Sequence, residues 1–164
     1  MSEWTQVNPA GMSVAVSDAW ARQGRFSCRF SSSGAASGAI NLQKSISAVD
    51  EVFLRFYVRI STLTPAVSGD VYLAQLRSAT GSCAQLILVQ QNNNTHLQLH
   101  YYSGQNLYKT STNPLLLNTV YCVELHFKRG ASNAELEVYL DGAKMPELSV
   151  SGANINAACT TILL

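Results

Sequence analysis

Three short segments carry most of the residue types able to do chemistry. Arg55, Tyr57 and Arg59 alternate along EVFLRFYVRI, Gln98, His100 and Tyr102 along HLQLHYY, and Glu124 and His126 along YCVELHFK; Tyr139 stands in AELEVYL. If the strands holding them share a sheet, their polar sides combine aromatic rings with guanidinium, amide and imidazole groups. Sugars need that mixture, because a pyranose lays its C–H face on a ring while its hydroxyls seek planar polar groups at the edge. The same alternation also serves as an ordinary solvated sheet face, where cross-strand pairing alone retains Tyr and Arg.

Other chemistries are weaker matches. His100 and Tyr102 with Gln98 and Arg55 are the residue types for β-elimination on a uronate, a base abstracting the α proton while cation and amide neutralise the acid. His96 and His100 lie four positions apart, about 13 Å along a strand, and cannot chelate one ion. His100 with His126 and Glu124 would need neighbouring strands to do so. Glu135 and Glu137 fall about 6.5 Å apart along a strand, a separation that suits paired carboxylates, yet a hairpin flank beside Asp141-Gly142 displays such a pair to solvent. Cys122 and His126 are again about 13 Å apart, so no nucleophilic set forms. No phosphate loop and no Gly-x-Ser-x-Gly occurs.

Positioning these residues falls to strands. In residues 51–60, Val52, Leu54, Phe56, Val58 and Ile60 share one face and Glu51, Phe53, Arg55, Tyr57 and Arg59 the other, the period of a pleated strand and not of a helix. The period returns at 96–102, 121–128 and 134–140, and shorter strands are predicted at 12–16, 25–30 (Phe26, Cys28 and Phe30 inward), 39–42, 71–77 and 84–90. Asp141-Gly142 predicts a tight hairpin into 144–150, and turns are predicted at 92–94 and 103–106. Residues 31–38, 65–69 and 110–114 read as loops. Residues 17–22 read as loop rather than as a short helical turn. One oily and one polar face per strand is what a two-sheet antiparallel sandwich requires.

The 164 residues, 47% of them hydrophobic, suffice for one core and predict one β-sandwich domain over 1–164. Eleven Lys and Arg stand against ten Asp and Glu, spread along the chain, which lacks the basic stripe of a nucleic-acid binder. Apolar runs such as 115–117 and 161–164 are far short of the roughly 20 residues a membrane helix needs, so no membrane insertion is expected. No charged and then apolar leader opens the chain; an excised or trimmed domain of a larger protein would begin the same way. Cys28, Cys83, Cys122 and Cys159 are too widely spaced for a zinc motif, and their pairing, if any, is open.

The order of these features resembles the concanavalin A-like, laminin-G-like jelly-roll superfamily, in its branch of bacterial polysaccharide lyases, glucanase-like proteins and carbohydrate-binding modules. The segments that carry it are Gln23-Gly24-Arg25-Phe26-Ser27 entering an early strand, EVFLRFYVRIS, then LILVQ with LQLHYY, and VYCVELHFKRGASNAELEVYLDG. The resemblance implies a jelly roll whose concave sheet faces glycan or, in other members, protein, and a secreted or cell-surface location. Gln98-Leu99-His100 is similar to the Gln-x-His motif of alginate-lyase-like members, but their Arg-rich and Tyr-rich motifs are not reproduced. The leading expectation is therefore a non-catalytic, lectin-like module binding polysaccharide through Arg55, Tyr57, Arg59, Gln98, His100, Tyr102, Glu124, His126 and Tyr139. The alternatives are a lyase using His100, Tyr102, Gln98 and Arg55, or a structural or adhesion domain of a viral or cell-surface assembly. No cofactor is expected; the family's terminal strands can hold a structural calcium, for which no ligands are assigned here. Homo-oligomers through open sheet edges are expected.

Overall fold

The computed structural model describes residues 5–7, 12–22, 24–25, 27–32, 41–63 and 71–164. The chain divides into two compact units, Met1–Lys44 with Leu163–Leu164, and Ser45–Ile162.

The first unit holds β1 (Thr5–Val7), β2 (Met12–Ser17), β3 (Ser27–Ser32) and the start of β4 (Asn41–Val49). β2 and β3 form an antiparallel ribbon, and β1 pairs with β4 from Thr5↔Gln43 to Val7↔Asn41. The chain end joins the same strand, because Leu42 and Leu164 exchange both main-chain hydrogen bonds. The predicted inward face of the early strand is not found: Cys28 is exposed and Phe30 is 41% exposed, while Phe26 lies outside the described residues. A lone ribbon buries little on either side.

The second unit takes its strands from the alternating segments. They are β5 (Glu51–Arg59), β6 (Val71–Arg77), β7 (Ser82–Gln91), β8 (Asn94–Tyr102), β9 (Asn106–Thr110), β10 (Val120–Lys128), β11 (Gly130–Leu140), β12 (Ala143–Lys144), β13 (Val150–Ile155) and β14 (Cys159–Leu163). One sheet runs β14-β6-β7-β8-β9; the other runs β12-β11-β10-β5, with β13 also on β11. This is an all-β, sandwich-like architecture of more than one sheet. Its core is the apolar side of each alternation: Leu76, Leu86, Leu97 and Leu99 from the larger sheet, Val123, Leu125, Phe127, Leu136 and Val138 from the smaller, all essentially inaccessible. Burying each such side chain stabilises the fold by about 1.5–3 kcal/mol.

Turn chemistry sets the registers. Asn92 and Asn93 both take positive φ, 50° and 63°, and close the β7–β8 hairpin so that Gln91 opposes Asn94; the left-handed pair matches the twist of the flanking strands. Asp141 and Gly142, at 52° and 82°, do the same between β11 and β12. The strand predicted at 144–150 is cut short at Lys144 and followed by a 3-10 turn, Pro146–Leu148, whose Leu148 is fully buried. Pro146 supplies no N–H for a ladder, which ends the strand there. Strands β1, β9, β13 and the 45–49 part of β4 go unpredicted, each short, polar or interrupted by glycine.

Candidate functional site

The polar residues that share a strand parity do not share a sheet. Arg55, Tyr57, Arg59, Glu124, His126 and Tyr139 lie on β5, β10 and β11, whereas Gln98, His100 and Tyr102 lie on β8 of the larger sheet. The single composite face expected above is thus two separate faces.

On the larger sheet, β8 is flanked by β7 and β9, with Gln85 and Tyr108 on either side of His100 and Asn106 beside Tyr102. Gln98 is 8% exposed and spends its amide internally: Nε2 donates to Thr110 Oγ1 at 2.6 Å, so Oε1 is the atom facing His100 Nε2 at 2.5 Å. Because an amide oxygen only accepts, His100 carries its proton on Nε2, and the neutral ring presents Nδ1 as an acceptor. The Tyr108 ring lies 5.8 Å from the imidazole, tilted by 41°. Tyr102 and Tyr108 are 53% and 69% exposed. Between them is a depression of about 290 Å³ bordered by Gln85, His100, Tyr102, Asn106 and Tyr108, with Ser82 at one end. Ser82 Oγ accepts from both Gln75 Nε2 (2.6 Å) and Gln85 Nε2 (3.2 Å), which orients those amides.

On the smaller sheet, Arg55 Nη2 pairs with Glu124 Oε2 at 2.8 Å, across the register Glu124↔Arg55. The hydrogen bond to Glu124 raises the Arg55 pKa, its charge adding to the effect. Arg59 is turned to the loop before β10, Nε and Nη2 donating to Asn118 O and Oδ1 at 3.3 and 3.1 Å. His126 stands between Glu51 (Nε2–Oε1 2.8 Å) and Glu137 (Nδ1–Oε2 3.3 Å). Glu137 also accepts from Tyr139 Oη at 2.9 Å and Lys144 Nζ at 2.5 Å. These donors hold its carboxyl at about 2, Lys144 contributing most and burial opposing. Phe53, on the polar side of β5 and not singled out by sequence, stacks on His126; its signal was an apolar ring at a polar parity.

The four groups of the elimination reading are split by this arrangement. Arg55 is on the other sheet from His100 and Tyr102, and Gln98 is buried with both amide ends engaged. Among the described residues no cluster of three or more His, Cys, Asp or Glu is arranged to hold a metal ion, and no helix is long and apolar enough to cross a membrane. All four cysteines are free thiols.

No protein-family model matches the chain, and no curated protein matches it. Among solved structures it is similar to domain 4 of AbnA, a GH43 extracellular arabinanase from Geobacillus stearothermophilus, in complex with arabinotriose. The identity is 15% and the TM-score 0.49, over 93% of this chain and 66% of that one.

Proposed function

We propose that the chain is a non-catalytic carbohydrate-binding module of jelly-roll type, acting outside the cell, with its glycan on the β7–β8–β9 face. The observation that supports this is the pair of exposed tyrosines, Tyr102 and Tyr108, on either side of a shallow depression rimmed by Gln85, His100 and Asn106. Two rings at a polar rim offer stacking surfaces for the C–H faces of successive sugars. Gln85 and Asn106 bring both donors and acceptors, and His100 Nδ1 brings an acceptor, so hydroxyls of either role are matched. Gln98 orients His100 and does not touch ligand. Separation of Arg55 from His100 and engagement of both ends of the Gln98 amide disfavour elimination.

The test is calorimetric titration with xylan, β-glucan, mannan and polygalacturonate fragments. Tyr108→Ala is expected to weaken binding about tenfold, the scale of one lost aromatic contact. Absence of binding to every member of the panel overturns the proposal; a rise in ultraviolet absorbance on polygalacturonate, the signature of an unsaturated product, replaces it with the lyase reading.

A further inference from the structure

The outer side of the smaller sheet carries an aromatic ring held in place with unusual care. Phe53 is 75% exposed, yet its ring lies on the His126 imidazole with centroids 4.2 Å apart and planes 5° from parallel. Both nitrogens of that imidazole are engaged by carboxylates, Glu51 at 2.8 Å and Glu137 at 3.3 Å. Glu137 is fixed in turn by Tyr139 and Lys144. Three layers of contacts therefore set the tilt of a ring whose far side meets water. Leaving a Phe exposed forgoes the free energy of burying its ring, and any polar side chain would serve a merely solvated strand at this position.

Beside the ring is a recess of about 240 Å³ walled by Phe53, Arg55, Glu124 and Tyr139. Arg55 uses Nη2 on Glu124, and its side chain is 64% exposed, so its remaining N–H groups point to solvent next to a carboxylate that only accepts. A donor and an acceptor fixed side by side at the rim of an aromatic plane match vicinal hydroxyls of a sugar lying on that plane. Arg55 is paired with Glu124 and Lys144 with Glu137, so neither cation is left to draw a polyanion.

We propose that Phe53, Arg55 and Glu124 form a second sugar-binding site, for a neutral glycan, on the sheet opposite to the Tyr102–Tyr108 face; this rests on the reading that the chain binds glycan. Sites on two different sheets are not filled by one short oligosaccharide. The consequence is bivalence: the module joins two polysaccharide strands, and its avidity for a dense glycan surface exceeds its affinity for a short oligosaccharide.

The experiment is calorimetry with short xylan, β-glucan, mannan and polygalacturonate oligosaccharides, together with turbidity of the full-length polymers, on wild type, Phe53→Ala and Tyr108→Ala. Phe53 is exposed, so its variant is expected to fold. The expected result is two sites per chain in wild type, one of them weakened about tenfold in each variant, and polymer cross-linking strongest in wild type. Unchanged stoichiometry and affinity in Phe53→Ala, with all binding weakened in Tyr108→Ala, overturns the second site and leaves the first standing. Loss of binding in Phe53→Ala alone does the reverse. Binding only to polygalacturonate overturns the neutral assignment, and self-association lost in Phe53→Ala with glycan binding intact makes the patch an interface between copies instead.

Discussion

Phe53 and His126 stand directly opposite one another on β5 and β10, and their rings stack at 4.2 Å. The imidazole is the support and the phenyl ring the surface. His126→Ala removes the stack and the contacts with Glu51 and Glu137, and is expected to cost about 1–2 kcal/mol of stability, read by urea unfolding. It is also expected to abolish sugar binding at Phe53 while leaving the Tyr108 site unchanged, which a general loss of stability would not do.

Glu137 makes stability depend on acid. Its folded pKa, about 2, lies below the roughly 4.3 of an unfolded Glu. The ionised carboxylate therefore stabilises the fold fully above the unfolded value, and that contribution is lost as pH falls from about 4.5 toward 2. Glu137→Gln is expected to flatten this part of the stability–pH profile, measured by urea midpoints at several acid pH values. Added salt is expected to shrink the difference, since the partner Lys144 is exposed.

Two thiols are expected to resist reagents. Burial pushes Cys83 up to about 11, with the neighbouring Cys159 adding to it, and burial raises Cys159 as well. The thiolate is the reactive form, so alkylation near neutral pH is expected to leave both residues unlabelled in the folded chain and to label both in urea. Peptide mass spectrometry after pulse alkylation checks this.

Backbone geometry predicts two costs. Asn93 sits at φ 63° in the β7–β8 turn; Asn93→Ala is expected to cost about 1 kcal/mol, and Asn93→Gly to cost nothing or stabilise. At Gly130 an added Cβ would lie 2.6 Å from Ala134 N and against Asn133. Gly130→Ala is therefore expected to lose about 1–3 kcal/mol through forced backbone movement. Thermal melts of the three variants separate the cases.

The strands that specify the second unit are readable because pleating forces side chains to alternate, and β5, β8, β10 and β11 alternate over long stretches. The turns at Asn92-Asn93 and Asp141-Gly142 are readable for the same local reason. Sheet membership is not local. Gln98 and Arg55 have the same parity relative to their apolar neighbours, and nothing in either segment tells which strand lies beside it; the register places Gln98 by Ile87 and Thr110, and Arg55 by Glu124. The expected exposure of Gln98 failed because both sides of β8 are covered at its start, where His96 and Gln98 are buried. β9 and β13, as NLYKT and VSGANI, escaped because five or six mixed residues carry too little alternation to outweigh a loop reading.

The pairing of β5 with β10 joins Arg59 to Val120 at its near end, whereas β7 and β8 close over two asparagines. During synthesis at roughly 5–20 residues per second, β5 therefore waits several seconds for the strand that will pair with it, while the hairpins between them form in microseconds. For that interval a nine-residue segment rich in β-branched and aromatic side chains is unpaired, the composition that seeds intermolecular sheets. Glu51, Arg55 and Arg59, spaced along it, then act as gatekeepers for the nascent chain before Glu51 takes its place on His126 and Arg55 on Glu124.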